Sequence, residues 1–502
     1  MESTGKEAST KKLIILLILG IILFVFSNGN WPVSIATWLA PVFLLRFSRS
    51  ISSPYSFILL FLVISVATGF MYYGIIPSHL GILTYILILY YAVLWFLPFV
   101  IDRLLLTVNK GFLSTLIFPS SMVFLEYVNN LFFGSWASVA YSQFNNLPLI
   151  QIASVFGIWG ITFIVMWFGS FINWVIENNY DLSRIRKGIT IYTVVLISVL
   201  IYGGIRLDVF PPDDKTVTIS SFTPQDEIDD YINTLNDYGY VSTLQMARSN
   251  RDSLFSLQQP TIDKIFKRNK NILTPETNIS IWPEGLISVL EEYEEQFISQ
   301  GRELAKDRDI YLLLGYILLP EENPGIGGEN KAVLINPSGE VEWEYLKTHP
   351  VPGATHKPGD GILPVTMTPF GNISTVICYD MDFTALLNSA GSKEIDIMLV
   401  PAWDWKAIDP LHARMAVFRA IENGFSMVRQ TGEGLSIAVD YQGRTLALMD
   451  HFTSEDRIMV SNNPTQGVRT VYSYIGDLLP WVCMIFLILS MVWKIKKGKN
   501  SI

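Results

Sequence analysis

ISTVICYDMDF, residues 373–383, runs a β-branched apolar stretch straight into a cysteine and then into two closely spaced aspartates. Such a run reads as a buried strand, and the charges that follow mark where it stops. Cys378 therefore stands at the end of a strand, a context that suits a nucleophile. On this residue alone an inert, buried thiol behaving as a small hydrophobe is an equal alternative. The only other cysteine, Cys483, lies in an apolar run near the C-terminus, so the pair does not make a disulfide framework.

Outward from Cys378, the same grammar repeats. VTISSF (217–222), NISIW (278–282), IYLLLGYI (310–317), KAVLIN (331–336) and IDIMLVP (395–401) read as strands. Helical patterns fall at 228–257, 289–307 and 412–423, and turns around Pro337 to Gly339 and Gln442 to Gly443 signal two hairpins. Strands alternating with helices predict a layered α/β domain over residues 211–470. This region has no glycine-rich phosphate loop and no CxxC, which argues against nucleotide-dependent and zinc-structured functions. A net charge of −9 with no basic cluster in this region argues against nucleic acid as a partner.

The flanks follow different rules. Half of all residues are hydrophobic and mean hydropathy is +0.35, because charge is concentrated in the α/β region. Apolar segments at 13–27, 31–45, 57–76, 83–101, 112–133, 149–176 and 189–205 precede that region and one at 474–493 follows it. Most approach the ~20 residues that cross a bilayer. The predicted fold is therefore an eight-helix transmembrane protein: a seven-span bundle at 1–210, the α/β domain at 211–470 inserted between spans seven and eight, and a closing helix with a basic tail at 471–502. Lys6, Lys11 and Lys12, then Arg46 and Arg49, Arg103 and Lys110, Arg184, Arg186 and Lys187, and finally Lys494 to Lys499 occupy one set of span ends. The opposite short connections carry no lysine or arginine. The positive-inside rule puts both termini in the cytoplasm and the α/β domain outside.

Three segments bring complementary chemistry to the domain. ISIWPEGL ends a strand on Glu284, EYLKTHPVPG sets Lys347 after the outgoing strand of a hairpin, and VICYDMDF delivers Cys378. These are the parts for acyl transfer through a thioester. Glu284 takes the thiol proton as general base, Cys378 attacks a carbonyl, and Lys347 stabilises the oxyanion. An unperturbed thiol, with a pKa of ~8.5, needs such help at neutral pH. Taken singly, Glu284 reads as a solvated strand-end carboxylate and Lys347 as a surface lysine.

In this order the segments resemble the carbon-nitrogen hydrolase (nitrilase) superfamily, whose Glu-Lys-Cys triad matches Glu284, Lys347 and Cys378. Joined to a membrane bundle, the whole chain resembles the apolipoprotein N-acyltransferase family. FLEYVNNLFFGSWASVAYSQFNNLPLIQIASVFGIWGITFIVMW (124–167) is similar to that family's fifth and sixth spans, and HARMAVFRAIENGFSMVRQTGEGLSIAVDYQGR (412–444) to its helix and strand hairpin. The resemblance implies an extracytoplasmic αββα sandwich on a bacterial cytoplasmic membrane. It also implies a phospholipid acyl donor, a lipoprotein or other amine acceptor, and no cofactor.

Some positions depart from the family pattern. Where the family reads close to HLVPFGEY after the lysine, this chain reads HPVPGATHKPGD, which sets Thr355 where a second glutamate stands. Asp380 replaces a glutamate after Tyr379, and the interval from Lys347 to Cys378 is short. These departures leave three alternatives open: a membrane-anchored amidase, an acyltransferase with a different amine acceptor, and a non-catalytic lipid-binding module. Tyr379, Asp380, Trp403, Trp405, Glu126 and Trp136 are candidate substrate contacts; Glu126 is an ionisable group inside an apolar span, where such groups are expensive. His349 and His412 have no ligand at metal spacing beside them in the sequence, so no metal is predicted. Arg419 and Glu422, one helical turn apart, are expected to pair.

Overall fold

A computed structural model describes residues 2–51, 53–106, 111–322 and 328–499. Lys110, used above for orientation, lies outside the described residues. The chain divides into two compact units, Met1–Pro211 with Tyr474–Ile502, and Pro212–Ser473.

The first unit is helical. Its long helices are Glu2–Val25, Ser34–Ser50, Pro54–Met71, Ile82–Leu106, Ile117–Phe133, Ala153–Glu177, Leu182–Val209 and Leu478–Lys499. Among the described residues, six helical stretches are long and apolar enough to cross a membrane: Pro54–Met71, Ile82–Leu106, Phe112–Phe133, Ala153–Glu177, Leu182–Val209 and Leu478–Lys497. The first two expected segments fall on Glu2–Val25 and the 17-residue Ser34–Ser50, which do not reach that measure. Outward-facing side chains such as Leu62, Val66, Ile86 and Ile485 are more than half exposed, a surface that suits lipid. At one end, Arg49 pairs with Asp102 at 2.8 Å and Glu177 at 3.4 Å. Arg103 donates to the Arg49 and Ile51 carbonyls at 2.9 and 2.8 Å, satisfying orphan acceptors at the end of Ser34–Ser50. Three helices are tied together by arginines that the sequence shows only as topology signals.

Among the described residues, the second unit holds thirteen strands: β1 (Thr216–Phe222), β2 (Ile279–Ile281), β3 (Ser288–Leu290), β4 (Tyr311–Leu319), β5 (Glu329–Ile335), β6 (Val341–Leu346), β7 (Thr366–Thr368), β8 (Gly371–Thr375), β9 (Ile397–Trp403), β10 (Ser426–Gly432), β11 (Leu435–Val439), β12 (Thr445–Asp450) and β13 (Ile458–Pro464). One sheet runs β13-β1-β2-β4-β5-β6 with β3 beside β4, and the other runs β12-β11-β10-β9-β8-β7. In each sheet the central pairs are parallel and the outer ones antiparallel. Every residue of β10 and nearly every residue of β9 is buried, as expected of strands covered on both faces. The first sheet's outer face packs on helices Gln225–Asp237, Arg251–Ile272 and Glu294–Arg308 through Tyr231, Ile265, Phe266 and Phe297. Helix Leu411–Asn423 lies along β10 and β11.

The helix expected at 228–257 is instead three helices, Gln225–Asp237, Thr243–Ser249 and Arg251–Ile272. Ser242 and Asn250 break it, each accepting a backbone N–H through its side chain as an N-cap. The stretch expected at 289–307 begins as β3, passes through a 3-10 turn at Glu291–Tyr293 and becomes α-helical at Glu294. Both hairpins form as the turn residues signal.

Candidate active site

Glu284 follows β2 by way of Trp282 and Pro283. The Trp282 indole N–H is anchored on Asn269 Oδ1 at 2.8 Å. β4 passes beneath this turn at Gly315, where a β-carbon would collide with the Pro283 carbonyl oxygen. The carboxylate is held from three sides. Oε1 accepts from Lys347 Nζ at 2.5 Å and from Asn330 Nδ2 at 2.6 Å, and Oε2 accepts from the Trp403 backbone N–H at 3.1 Å. Lys347 itself is fixed by its backbone N–H on the Asn330 carbonyl at 2.9 Å.

Cys378 opens a short turn, Cys378–Asp382, just past β8. Its φ is +48°, a left-handed conformation that costs a non-glycine residue ~1–3 kcal/mol and tends to mark functional positions. Sγ lies 3.8 Å from the Trp403 carbonyl oxygen, so the two peptide groups of one residue face Glu284 and Cys378. The Trp403 ring packs over Gly432. Burial pulls the Lys347 ammonium down, but Glu284, Cys378 and Asp380 outweigh it and hold it above the usual lysine range.

Asp380 is fully buried and ties this turn to the segment after Lys347. Oδ1 accepts from the His349 backbone N–H at 2.7 Å, and Oδ2 accepts from the Tyr345 hydroxyl at 2.9 Å and the Ile377 N–H at 3.2 Å. The His349 ring stacks on Phe383 at 3.6 Å. Tyr379 is buried edge-on to Phe383, and its hydroxyl is pushed up by burial and by Asp382. Trp405 is half-buried at the start of the turn Lys406–Ile408, and Thr355 is exposed.

Glu126 and Trp136 belong to the helical unit. Glu126 accepts from the Val139 N–H at 2.9 Å, Ser138 Oγ at 3.0 Å and Thr162 Oγ1 at 2.8 Å, joining its helix to the 134–143 connection and to Ala153–Glu177. It lines a small cavity with Trp95, Met122 and Trp136.

The sequence reading missed a group of residues beside Cys378. Asp409 stands three residues before His412 in the chain, but the fold sets other carboxylates on the ring, with Asp404 Oδ1 2.7 Å from Nδ1 and Asp382 Oδ2 3.2 Å from Nε2. Arg429, from β10, bonds both Asp404 oxygens at 2.8 and 2.7 Å. These residues come from a helix, a strand end, a turn and a strand interior, so no local pattern announces them. Arg419 and Glu422 do pair, at 2.8 Å and fully buried.

Residues 247–465 match the family model of the carbon-nitrogen hydrolases, and residues 19–171 that of the apolipoprotein N-acyltransferase N-terminal domain. The chain is 24% identical to apolipoprotein N-acyltransferase 1 of Treponema denticola, over 95% of both chains. It is 24% identical to apolipoprotein N-acyltransferase of Geobacter metallireducens, over 86% of this chain and 82% of that one. Among solved structures, an amidase from Nesterenkonia sp. aligns at 20% identity and a TM-score of 0.37, over 51% of this chain and 94% of that one.

Proposed function

This chain belongs to the apolipoprotein N-acyltransferase family, and on that premise we propose that it moves a fatty acyl chain from a phospholipid, through a thioester on Cys378, to the N-terminal amine of a diacylated lipoprotein. The observation that carries this reading is that the Trp403 backbone meets Glu284 through its N–H and Cys378 through its carbonyl, while Lys347 pairs with the other oxygen of Glu284. In the first half-reaction the Cys378 proton passes to Glu284 and the sulfur attacks the donor's ester carbonyl. Lys347, ammonium already in place, faces the charge that develops on the carbonyl oxygen. The ester C–O bond breaks, and the departing lysophospholipid oxygen takes the proton back from Glu284. In the second, the acceptor amine attacks the thioester and gives its proton to Glu284. The C–S bond breaks and the sulfur recovers that proton.

Asp380 serves this scheme as a positioning residue, since its bonds run to Tyr345, His349 and Ile377. Tyr379, Trp403 and Trp405 border the acyl site, and Glu126 and Trp136 are lipid contacts within the helical unit. Both substrates carry acyl chains whose exposure to water costs ~0.8 kcal/mol per CH₂, which gives the apolar helices their purpose. We read the chain as eight spans in a bacterial cytoplasmic membrane, with both termini in the cytoplasm and the α/β domain on the outer face. The alternation of lysine and arginine between successive span ends supports this.

The test is to incubate the purified full chain with labelled phospholipid and a diacylated lipopeptide. N-acylated peptide and lysophospholipid are expected from the wild type, and neither from Cys378→Ala. Release of free fatty acid alone, with no acylated peptide, discards the transferase in favour of a hydrolase. Undiminished transfer by Cys378→Ala discards the thioester.

A further inference from the structure

A second constellation sits against the Cys378 sulfur, apart from Glu284 and Lys347. Sγ, an oxygen of Asp404 and a ring nitrogen of His412 all lie within 4.8 Å of one another. His412, Asp404, Asp382 and Arg429 are each no more than 2% exposed. Such a donor set invites a cation, but Arg429 already holds both Asp404 oxygens and stands 2.9 Å from His412 Nδ1. The positive charge a cation would bring is supplied by the protein.

The charges themselves indicate the state of His412. The groups that face it are Asp382 and Cys378 from the turn, Asp404 from the end of β9 and Arg429 from β10. Nδ1 lies against Asp404 Oδ1 and Nε2 against Asp382 Oδ2, and only a ring protonated on both nitrogens donates to both. Burial and the Arg429 guanidinium work against the second proton, but Asp382 and Asp404 outweigh them and hold it well above the ordinary histidine range.

We propose that Cys378 and His412 form a thiolate–imidazolium pair, in which the proton held on His412 between Asp382 and Asp404 favours ionised sulfur. The proposal rests on the reading of Cys378 as nucleophile. His412 forms and breaks no bond: the thiol proton leaves for Glu284, and His412 keeps its own. It acts through charge, as a positioning residue, as cationic neighbours do for other activated cysteines. Arg429 clamps Asp404, which in turn holds His412 Nδ1.

Alkylation of Cys378 by iodoacetamide across pH 5–10 tests this, using the full chain in detergent on a Cys483→Ser background. His412→Gln is expected to move the alkylation midpoint upward by about one unit and to slow the reaction about tenfold at pH 6, with circular dichroism unchanged. Asp382→Asn is expected to shift it part of the way. A folded His412→Gln protein with the wild-type pH profile overturns the proposal. If that variant does not fold, Asp382→Asn and the wild type decide. An unshifted Asp382→Asn profile overturns the pair. So does finding no charged imidazole at pH 8 among the five histidines of the ¹³C-histidine-labelled wild type. Alkylation needs no acyl acceptor, so active Cys378→Ala would topple the functional reading without touching this measurement.

Discussion

At the scale of the residue, the site rests on a buried ion pair. Lys347 and Glu284 are 2.5 Å apart, with side chains 4% and 9% exposed. Removing one partner leaves the other charge buried and uncompensated, which costs ~3–5 kcal/mol. Lys347→Met is therefore expected to lower the melting temperature sharply and, as loss of one oxyanion stabiliser, to cut turnover by ~10²–10³. Adding Glu284→Gln should recover part of the stability and none of the activity. Wild-type turnover in Lys347→Met would remove the lysine from the chemistry. These two residues and Cys378 were legible because each comes at or just past the end of a strand, apolar before Glu284 and Cys378 and alternating, as VEWEYL, before Lys347. Asp404, His412 and Arg429 were not, because nothing local to a charged residue tells whether it faces solvent or a buried partner. Only the parallel pairing of β9 with β10, and the helix laid along β10 and β11, brings those three together.

At the scale of the element, strands survived the passage from sequence to structure better than helices did. A strand of five to seven residues is marked by its own apolar run, as in β1, β8 and β9. Helix ends depend on caps, and the continuous pattern at 228–257 concealed Ser242 and Asn250 acting as caps inside it. Small residues where backbones cross are equally silent in a periodicity argument. β4 can run beneath the Trp282-Pro283-Glu284 turn only because Gly315 has no side chain. Gly315→Val is expected to cost ~1–3 kcal/mol by overpacking. It should also depress turnover beyond that stability loss, because a displaced Pro283 carries Glu284 off Trp403. Thermal unfolding and single-turnover acylation measured on the same preparation separate the two effects; a variant that loses stability but acylates normally would show that the turn does not aim the carboxylate. In the helical unit, Gly203 plays the same part against the Pro148 carbonyl, letting Leu182–Val209 approach the preceding connection.

At the scale of the whole molecule, buried charge sets the pH range in which the α/β unit is stable. Burial would raise the Asp404 carboxyl, but Arg429 and His412 overcome it and hold it well below the usual carboxylate range. A depressed carboxylate stabilises the fold above its unfolded value, about 3.9, and that contribution is lost as pH falls through the folded value. His412 runs the other way. Its folded affinity for a proton is raised, so its contribution is complete below the unfolded value of about 6.5 and drains away as pH rises toward the folded one. The cluster thus stabilises the unit most fully between about pH 4 and pH 6.5, with losses on both sides. Thermal unfolding of the full chain, followed by near-ultraviolet circular dichroism from pH 3 to pH 10, should show the wild type losing stability above neutrality faster than His412→Gln does. In acid both should decline, His412→Gln from a higher pH, because the histidine no longer helps hold the Asp404 carboxyl low. Parallel curves above pH 7 would mean that His412 carries no extra proton in the folded chain. Convergence of the two curves as pH rises, with the wild type higher at pH 6, is the signature of a buried imidazolium whose proton the fold itself retains.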